Sequence, residues 1–313
     1  MSKAGIRSLR FAVLLVVAGT FAFNSPAVAS TVVSAEHGTV VVPASRGHKA
    51  PVIDVVMTGD GFSLPDSVHA GFVTFRVSTP DPTYHALQGL SVTKGHTIEE
   101  VFADFQLGLS ASRDQNAEGS RNLLRDAVLI GGIVTDAYAP MSVTVPLTAG
   151  TYYFFDQNEV GEPGTALPTA HVLKVHGNLK LDGLPGFSSL VGLTGQHGMT
   201  LFQSPASFDA DGSVLIYNDS DQLHEAVWRP VQPGTTDAYI TAYYNAITQN
   251  LPRLPSPYAG STRGLASLSP GRFAVLRMDM PPGPYALVCA VPDVITGIAH
   301  TRNGGMFKVV TLY

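Results

Sequence analysis

The sequence holds a single cysteine, Cys289, among 313 residues. No disulfide can form within the chain, although exported proteins commonly use cysteines in pairs. Charge is also scarce: Asp, Glu, Lys and Arg make up 14%, and the net charge is −5. That balance excludes a general nucleic-acid role, which needs a basic surface. Several catalytic signatures are missing as well. There is no Gly-x-Ser-x-Gly elbow, no Walker phosphate loop and no His-Glu-x-x-His pair. After Phe23 no stretch is apolar enough to suggest a membrane span.

What is present begins with an address. Lys3, Arg7 and Arg10 precede an apolar run from Phe11 to Phe23, and Ala27-Val28-Ala29 offers a small-x-small cleavage site. That order predicts a signal peptide over residues 1–29, cleaved after Ala29, and a secreted or otherwise extracytoplasmic protein in the periplasm or at the cell surface. The alternative is an uncleaved membrane anchor, but the run is short of the roughly 20 residues a span needs. No cysteine stands near the site, which removes a lipoprotein. The remaining chain is long enough for two domains. Few charges with many Gly (31) and Pro (22) indicate a β-rich protein.

The chain repeats itself. Gly71-Phe72-Val73-Thr74-Phe75-Arg76-Val77 leads through a polar loop to His85, and Gly212-Ser213-Val214-Leu215-Ile216-Tyr217 leads likewise to His224. Thr97 with Glu100 forms a capping box for a helix, and Gly234 to Ile240 starts its counterpart. Each copy then gives strand, Gly turn, strand: Met141 to Asp156, and Phe273 to Cys289. Each closes on a short apolar strand, Val172–Val175 and Phe307–Val310. The prediction is all-β: two tandem Greek-key β-sandwich domains, each with a helical insertion, over residues 45–178 and 199–313, joined by a linker at 179–198.

In the second copy the soft and nitrogen donors fall in the order His224…Cys289-x10-His300-x5-Met306. Two imidazoles, a thiolate and a weak thioether make up the donor set of blue-copper electron-transfer sites. Singly, each has a plainer reading: a satisfied histidine, a buried small hydrophobe, a packed methionine.

Gly283-Pro284-Tyr285-Ala286-Leu287-Val288-Cys289, with Pro292-Asp293, Gly297, His300 and Gly305-Met306, resembles the carboxy-terminal signature of the cupredoxin, or blue copper, family. The resemblance implies that His224, Cys289 and His300 are equatorial ligands and Met306 the axial one of a single type 1 copper, with His300 as the edge for electron exchange. The Cys-to-His spacing is longer than in the small electron-transfer members. The first copy has His85 where the second has His224, Asp156 where it has Cys289, and His171 where it has Met306. Lacking a thiolate, it is expected to be a copper-free cupredoxin-like domain; the alternative is that His85, Asp156 and His171 hold another ion such as zinc.

No His-x-His pair exists, and Ala290 rather than His follows Cys289. These absences exclude the coupled clusters of copper oxidases and reductases, so the sequence predicts no enzyme and no catalytic residue. It predicts a secreted copper-binding protein exchanging electrons with a partner protein. A metal-free structural or recognition module is the alternative.

Overall fold

The computed structural model describes residues 31–35, 38–42, 49–180, 182–196, 199–303 and 305–313. The expected signal peptide, residues 1–29, lies outside them. Strands β1 (Thr31–Ala35) and β2 (Gly38–Val42) pair antiparallel. The first copy continues with β3 (Val52–Val56), β4 (Ser67–His69), β5 (Gly71–Ser78), β6 (His85–Val92), α1 (Ile98–Gly108), α2 (Arg113–Asp126), β7 (Ala127–Thr135), β8 (Met141–Leu147), β9 (Gly150–Asp156) and β10 (His171–His176). The second copy has β11 (Ser189–Gln196), β12 (Met199–Gln203), β13 (Ser207–Phe208), β14 (Ser213–Ser220), β15 (His224–Pro230), α3 (Asp237–Thr248), β16 (Arg263–Leu268), β17 (Phe273–Arg277), β18 (Gly283–Val288) and β19 (Phe307–Leu312).

These strands form two large sheets. One runs β4-β10-β9-β6-β7-β16-β15-β18-β19-β13, the other β3-β5-β8-β17-β14-β11-β12. Read from either end, each order visits matching strands of the two copies, with β12 as the one addition. The parallel pairs also match: β3 with β5 and β11 with β14, β4 with β10 and β13 with β19. The copies meet where β7 pairs antiparallel with β16 and β8 with β17, so both sheets pass unbroken through the junction. The fold is thus an all-β sandwich built of two repeats joined edge to edge.

Alternation drives the sheets together. β3 and β14 bury every second residue, and those inward side chains make one apolar core between the sheets. Phe75, Phe154, Phe208, Trp228, Cys289 and Met306 all lie in it. The outer face of the ten-stranded sheet is covered by helices. α1 and α2 pack Phe102, Phe105 and Leu123 over Leu90, Leu129 and Phe155, while α3 packs Ile240 beside Val227, Ala286 and Val288. That cover explains why β7 and β16 are buried almost throughout. Thr97 and Glu100 form the expected capping box, and the Thr236 side chain caps α3.

Two features depart from the sequence-based expectation. Residues 189–196, inside the expected linker, are β11, because Val191 and Leu193 reach the core despite the glycines around them. The first copy also carries a second helix, α2. Its residues are mostly polar and its N-cap, Ser112, makes no side-chain capping bond, so the local start signal is weak.

Candidate metal centre

His224 opens β15, and Cys289 directly follows β18. β15 and β18 are hydrogen-bonded neighbours, which puts the two side chains side by side on the inner face of the sheet. His300 arrives from the loop between β18 and β19. The Nδ1 atoms of His224 and His300 each lie 3.5 Å from Cys289 Sγ. All three residues and Met306 are 0% exposed. Among the described residues, His224, Cys289 and His300 are the one group of three or more that could hold a metal ion. Met306 is tied in through its backbone N–H, which donates to the His300 carbonyl at 3.1 Å.

The donor set fits a soft transition metal. Metal bonds of about 2.0–2.1 Å to imidazole and about 2.3 Å to thiolate, at a tetrahedral angle, separate N from S by about 3.5–3.6 Å. Hydrogen bonds can link the trio, with the thiol donating to His300 Nδ1 and His224 Nδ1–H donating to Sγ, but they leave one imidazole nitrogen over. Among the described residues His224 Nε2 is buried without a hydrogen-bond partner, which leaves Nδ1 as the ring's polar contact.

The surroundings prepare these groups. Burial and the nearby Glu225 carboxylate push the Cys289 thiol up, well above its ordinary range. Burial lowers His224 to about 2, reinforced by His300. It lowers His300 to about 4, opposed by the Asp293 carboxylate. Near neutral pH the metal-free trio is therefore one thiol and two neutral imidazoles.

Gln222 orients His300. Its Oε1 lies 3.1 Å from His300 Nε2 and accepts from the Val294 N–H at 2.9 Å, while its Nε2 donates to Asp293 Oδ2 at 2.9 Å. With Nε2–H directed at Gln222, the Nδ1 lone pair faces Cys289. Asp293 Oδ1 in turn accepts from the Ile295 and Thr296 backbone N–H groups. Gln222 carried no sequence signal, because a lone glutamine in a polar loop matches no pattern.

The long loop that carries His300 is held by the first copy. Ser120 Oγ of α2 donates to the Pro292 carbonyl at 2.8 Å, Arg121 Nη1 to the Val294 carbonyl at 2.6 Å, and Asn116 Nδ2 to the Gly297 carbonyl at 3.4 Å. Gly297 makes that seat possible. Its φ is +62°, and a Cβ there would stand 1.7 Å from the Arg113 carbonyl oxygen. His300, expected to be the edge for electron exchange, is fully buried. The residue after Cys289 reaches the surface. Ala290 is exposed, and with Glu225 it lines a cavity of about 870 Å³ over the outer face of the ten-stranded sheet. The Ala290 N–H donates to Glu225 Oε1 at 2.7 Å, and the Glu225 N–H lies 3.5 Å from Cys289 Sγ.

In the matching place of the first copy two carboxylates engage the imidazole. His85 Nδ1 lies 2.5 Å from Asp156 Oδ2, and His85 Nε2 lies 3.1 Å from Asp81 Oδ2. The Ala86 N–H donates to Asp156 Oδ1, as the Glu225 N–H approaches Cys289 Sγ in the other copy. Burial disfavours the His85 cation, but the two carboxylates outweigh it and raise its pKa. His171 packs against Phe62 instead, with ring centroids 4.1 Å apart. It pairs in register with Phe154, so it is not the counterpart of Met306.

No family model matches the sequence, and no curated protein does. Among solved structures, auracyanin A, a "blue" copper protein from Chloroflexus aurantiacus, is 20% identical over 40% of this chain and 98% of its own, with a TM-score of 0.29. A copper nitrite reductase from Nitrosomonas europaea is 12% identical over 91% of this chain and 92% of its own, with a TM-score of 0.22. A multicopper oxidase is 10% identical over 86% and 93%, with a TM-score of 0.23. These values are too low to carry residue roles across.

They do correct one expectation. The missing His-x-His pairs and the Ala at 290 led to the exclusion of an enzyme, yet the solved structures similar to most of this chain include copper enzymes by name. Missing pairs exclude one kind of coupled cluster; they do not test for catalysis. No helix among the described residues is long and apolar enough to cross a membrane. In solved structures, as in its own carboxy-terminal residues, the chain is similar to the cupredoxin group of copper proteins.

Proposed function

We propose that the chain binds one copper ion through His224, Cys289 and His300, with Met306 beside them, and passes single electrons to and from a redox partner. The observation that carries this reading is the convergence of two Nδ1 atoms on one buried Sγ. Bound copper would supply a one-electron couple, Cu(II)/Cu(I), to which thiolate and imidazole donors are suited. The protein's part is to hold those donors in place through both states. Gln222 fixes the His300 ring, the core holds His224 and Met306, and α2 holds the loop. Burial excludes water from the site. Electrons then exchange across the Ala290 and Glu225 wall, where the chain next to the thiolate reaches solvent. Elemental analysis after reconstitution and treatment with a chelator that strips weakly held surface copper tests the stoichiometry: one copper per chain should remain, and a second that resists the chelator would mean that Asp156 had been misread as metal-free.

The titration behaviour gives a second test. With both imidazoles neutral and the thiol protonated, copper uptake at pH 8.5 should release a single proton, that of Cys289. Below the raised thiol pKa and above the His300 value of about 4, affinity should then rise about tenfold per pH unit. Glu225, which burial raises to about 7, is ionised at pH 8.5 and adds little. Calorimetry in two buffers of different ionisation enthalpy reads the proton count directly. Uptake with no proton release would mean that Cys289 is not a ligand.

Export belongs to the same proposal and rests on the pattern of residues 1–29. Intact mass of the exported protein should start at Ser30. A retained Phe11–Phe23 segment would make it membrane-anchored.

A further inference from the structure

We propose that His69 and His176 form a second metal site, on the surface of the first copy, which takes a divalent late transition-metal ion such as Cu(II). β4 and β10 run parallel, and these two histidines are register partners. Their ring centroids lie 4.2 Å apart with the planes tilted by 52°. Both residues are exposed on the terminal strand pair of the ten-stranded sheet. The structure records no hydrogen bond or ion pair for either imidazole among the described residues, in contrast to His85 and His300.

The backbone ties the two strand ends and keeps a side chain off one nitrogen. The Ala70 N–H donates to the His176 carbonyl at 2.8 Å, which ties the ends of the two strands. Gly177 follows with φ +83°, and a Cβ there would stand 3.2 Å from His69 Nδ1. A glycine at 177 therefore spares that nitrogen a side-chain contact. The second copy repeats the backbone bond, Ala210 N–H to the Tyr313 carbonyl at 3.0 Å, but places Asp209 and Tyr313 where the first has His69 and His176. The pair is thus a property of the first copy alone.

Two imidazoles on adjacent strands make a nitrogen chelate. The order of affinity for such donors among first-row divalent ions rises to Cu(II) and then falls to Zn(II). Two nitrogens with water completing the shell give a site weaker and more open than the buried trio. Four strands separate β10 from β15, so the two sites share no ligand.

The test uses untagged, copper-saturated protein titrated with further copper(II) sulfate at pH 8 and followed by paramagnetic resonance. The second equivalent should give an ordinary nitrogen-ligated Cu(II) signal, without intense colour. His69→Ala and His176→Ala should each weaken it by roughly tenfold or more, since either leaves a single tooth of the chelate. The visible band should not change. In Cys289→Ser the surface signal should remain, so failure of the buried centre and failure of this site are distinguishable. A second equivalent bound equally well by the double variant, or no binding by wild type beyond that of free imidazole, would overturn the proposal.

Discussion

Cys289→Ser is expected to abolish the visible charge-transfer band of the copper-loaded protein and to lower copper affinity by more than the roughly 10–100-fold that loss of a supporting hydrogen bond to a ligand costs. The reason lies in the donor. A thiolate is soft and is the source of the strong copper–sulfur absorption, whereas a serine hydroxyl is hard and stays protonated in so buried a place. Serine nearly matches the shape, so the sandwich should stay folded. The Glu225 N–H that approaches Sγ at 3.5 Å can approach the smaller oxygen less closely, a minor cost in stability. Met306→Leu supplies the contrast. Met306 lies in the core, and leucine preserves the volume, so the band should shift but persist. Absorption spectra of the two variants at equal copper load decide the matter. Equal loss in both would mean that packing rather than thiolate ligation produces the colour.

Gly297→Ala should be the most damaging change outside the ligands. The left-handed conformation costs a non-glycine residue roughly 1–2 kcal/mol. The Cβ also meets the Arg113 carbonyl oxygen at 1.7 Å, a contact that neither helix nor loop can keep. Overpacking of that kind adds about 1–3 kcal/mol. The loop should therefore lift from α2, which frees the Pro292 and Val294 carbonyls from Ser120 and Arg121 and disturbs the Gln222–His300 contact. The melting temperature of the copper-free protein should fall by several degrees. The copper-loaded protein should show a displaced band and faster loss of copper to a chelator. Arg121→Ala, which removes one hydrogen bond and inserts nothing, should do the same in milder form. A copper-loss rate unchanged in both variants would show that α2 does not brace the ligand loop.

The candidate trio was legible in the sequence for a physical reason. A lone thiol in a chain with an expected signal peptide needs an explanation, and soft donors in a fixed order near strand ends supply one. The repeat was legible because its glycine turns and alternating strands recur in step, and the paired strand orders of the two sheets follow from it. What stayed hidden depends on contacts between the copies. The polar α2 gives a weak signal by itself, yet it braces the loop that carries His300. Gln222 sits in a polar loop that matches no pattern, yet it orients the His300 ring. β11 was hidden among glycines, and only pairing with β14 turns Val191 and Leu193 inward. His171 matched Met306 in sequence order, but strand register, which order alone does not set, places it against Phe62. The exclusion of an enzyme failed differently, because it tested known arrangements of histidine and nothing else.

The central claim is that Cys289, His224 and His300 bind copper through a thiolate. The visible absorption spectrum of oxidised, copper-saturated wild-type protein tests it most directly. An intense blue band developing in proportion to the first equivalent of copper, and bleaching on reduction, is the expected result. A colourless protein at full copper load and full oxidation would contradict the metal centre and leave only the sandwich fold standing.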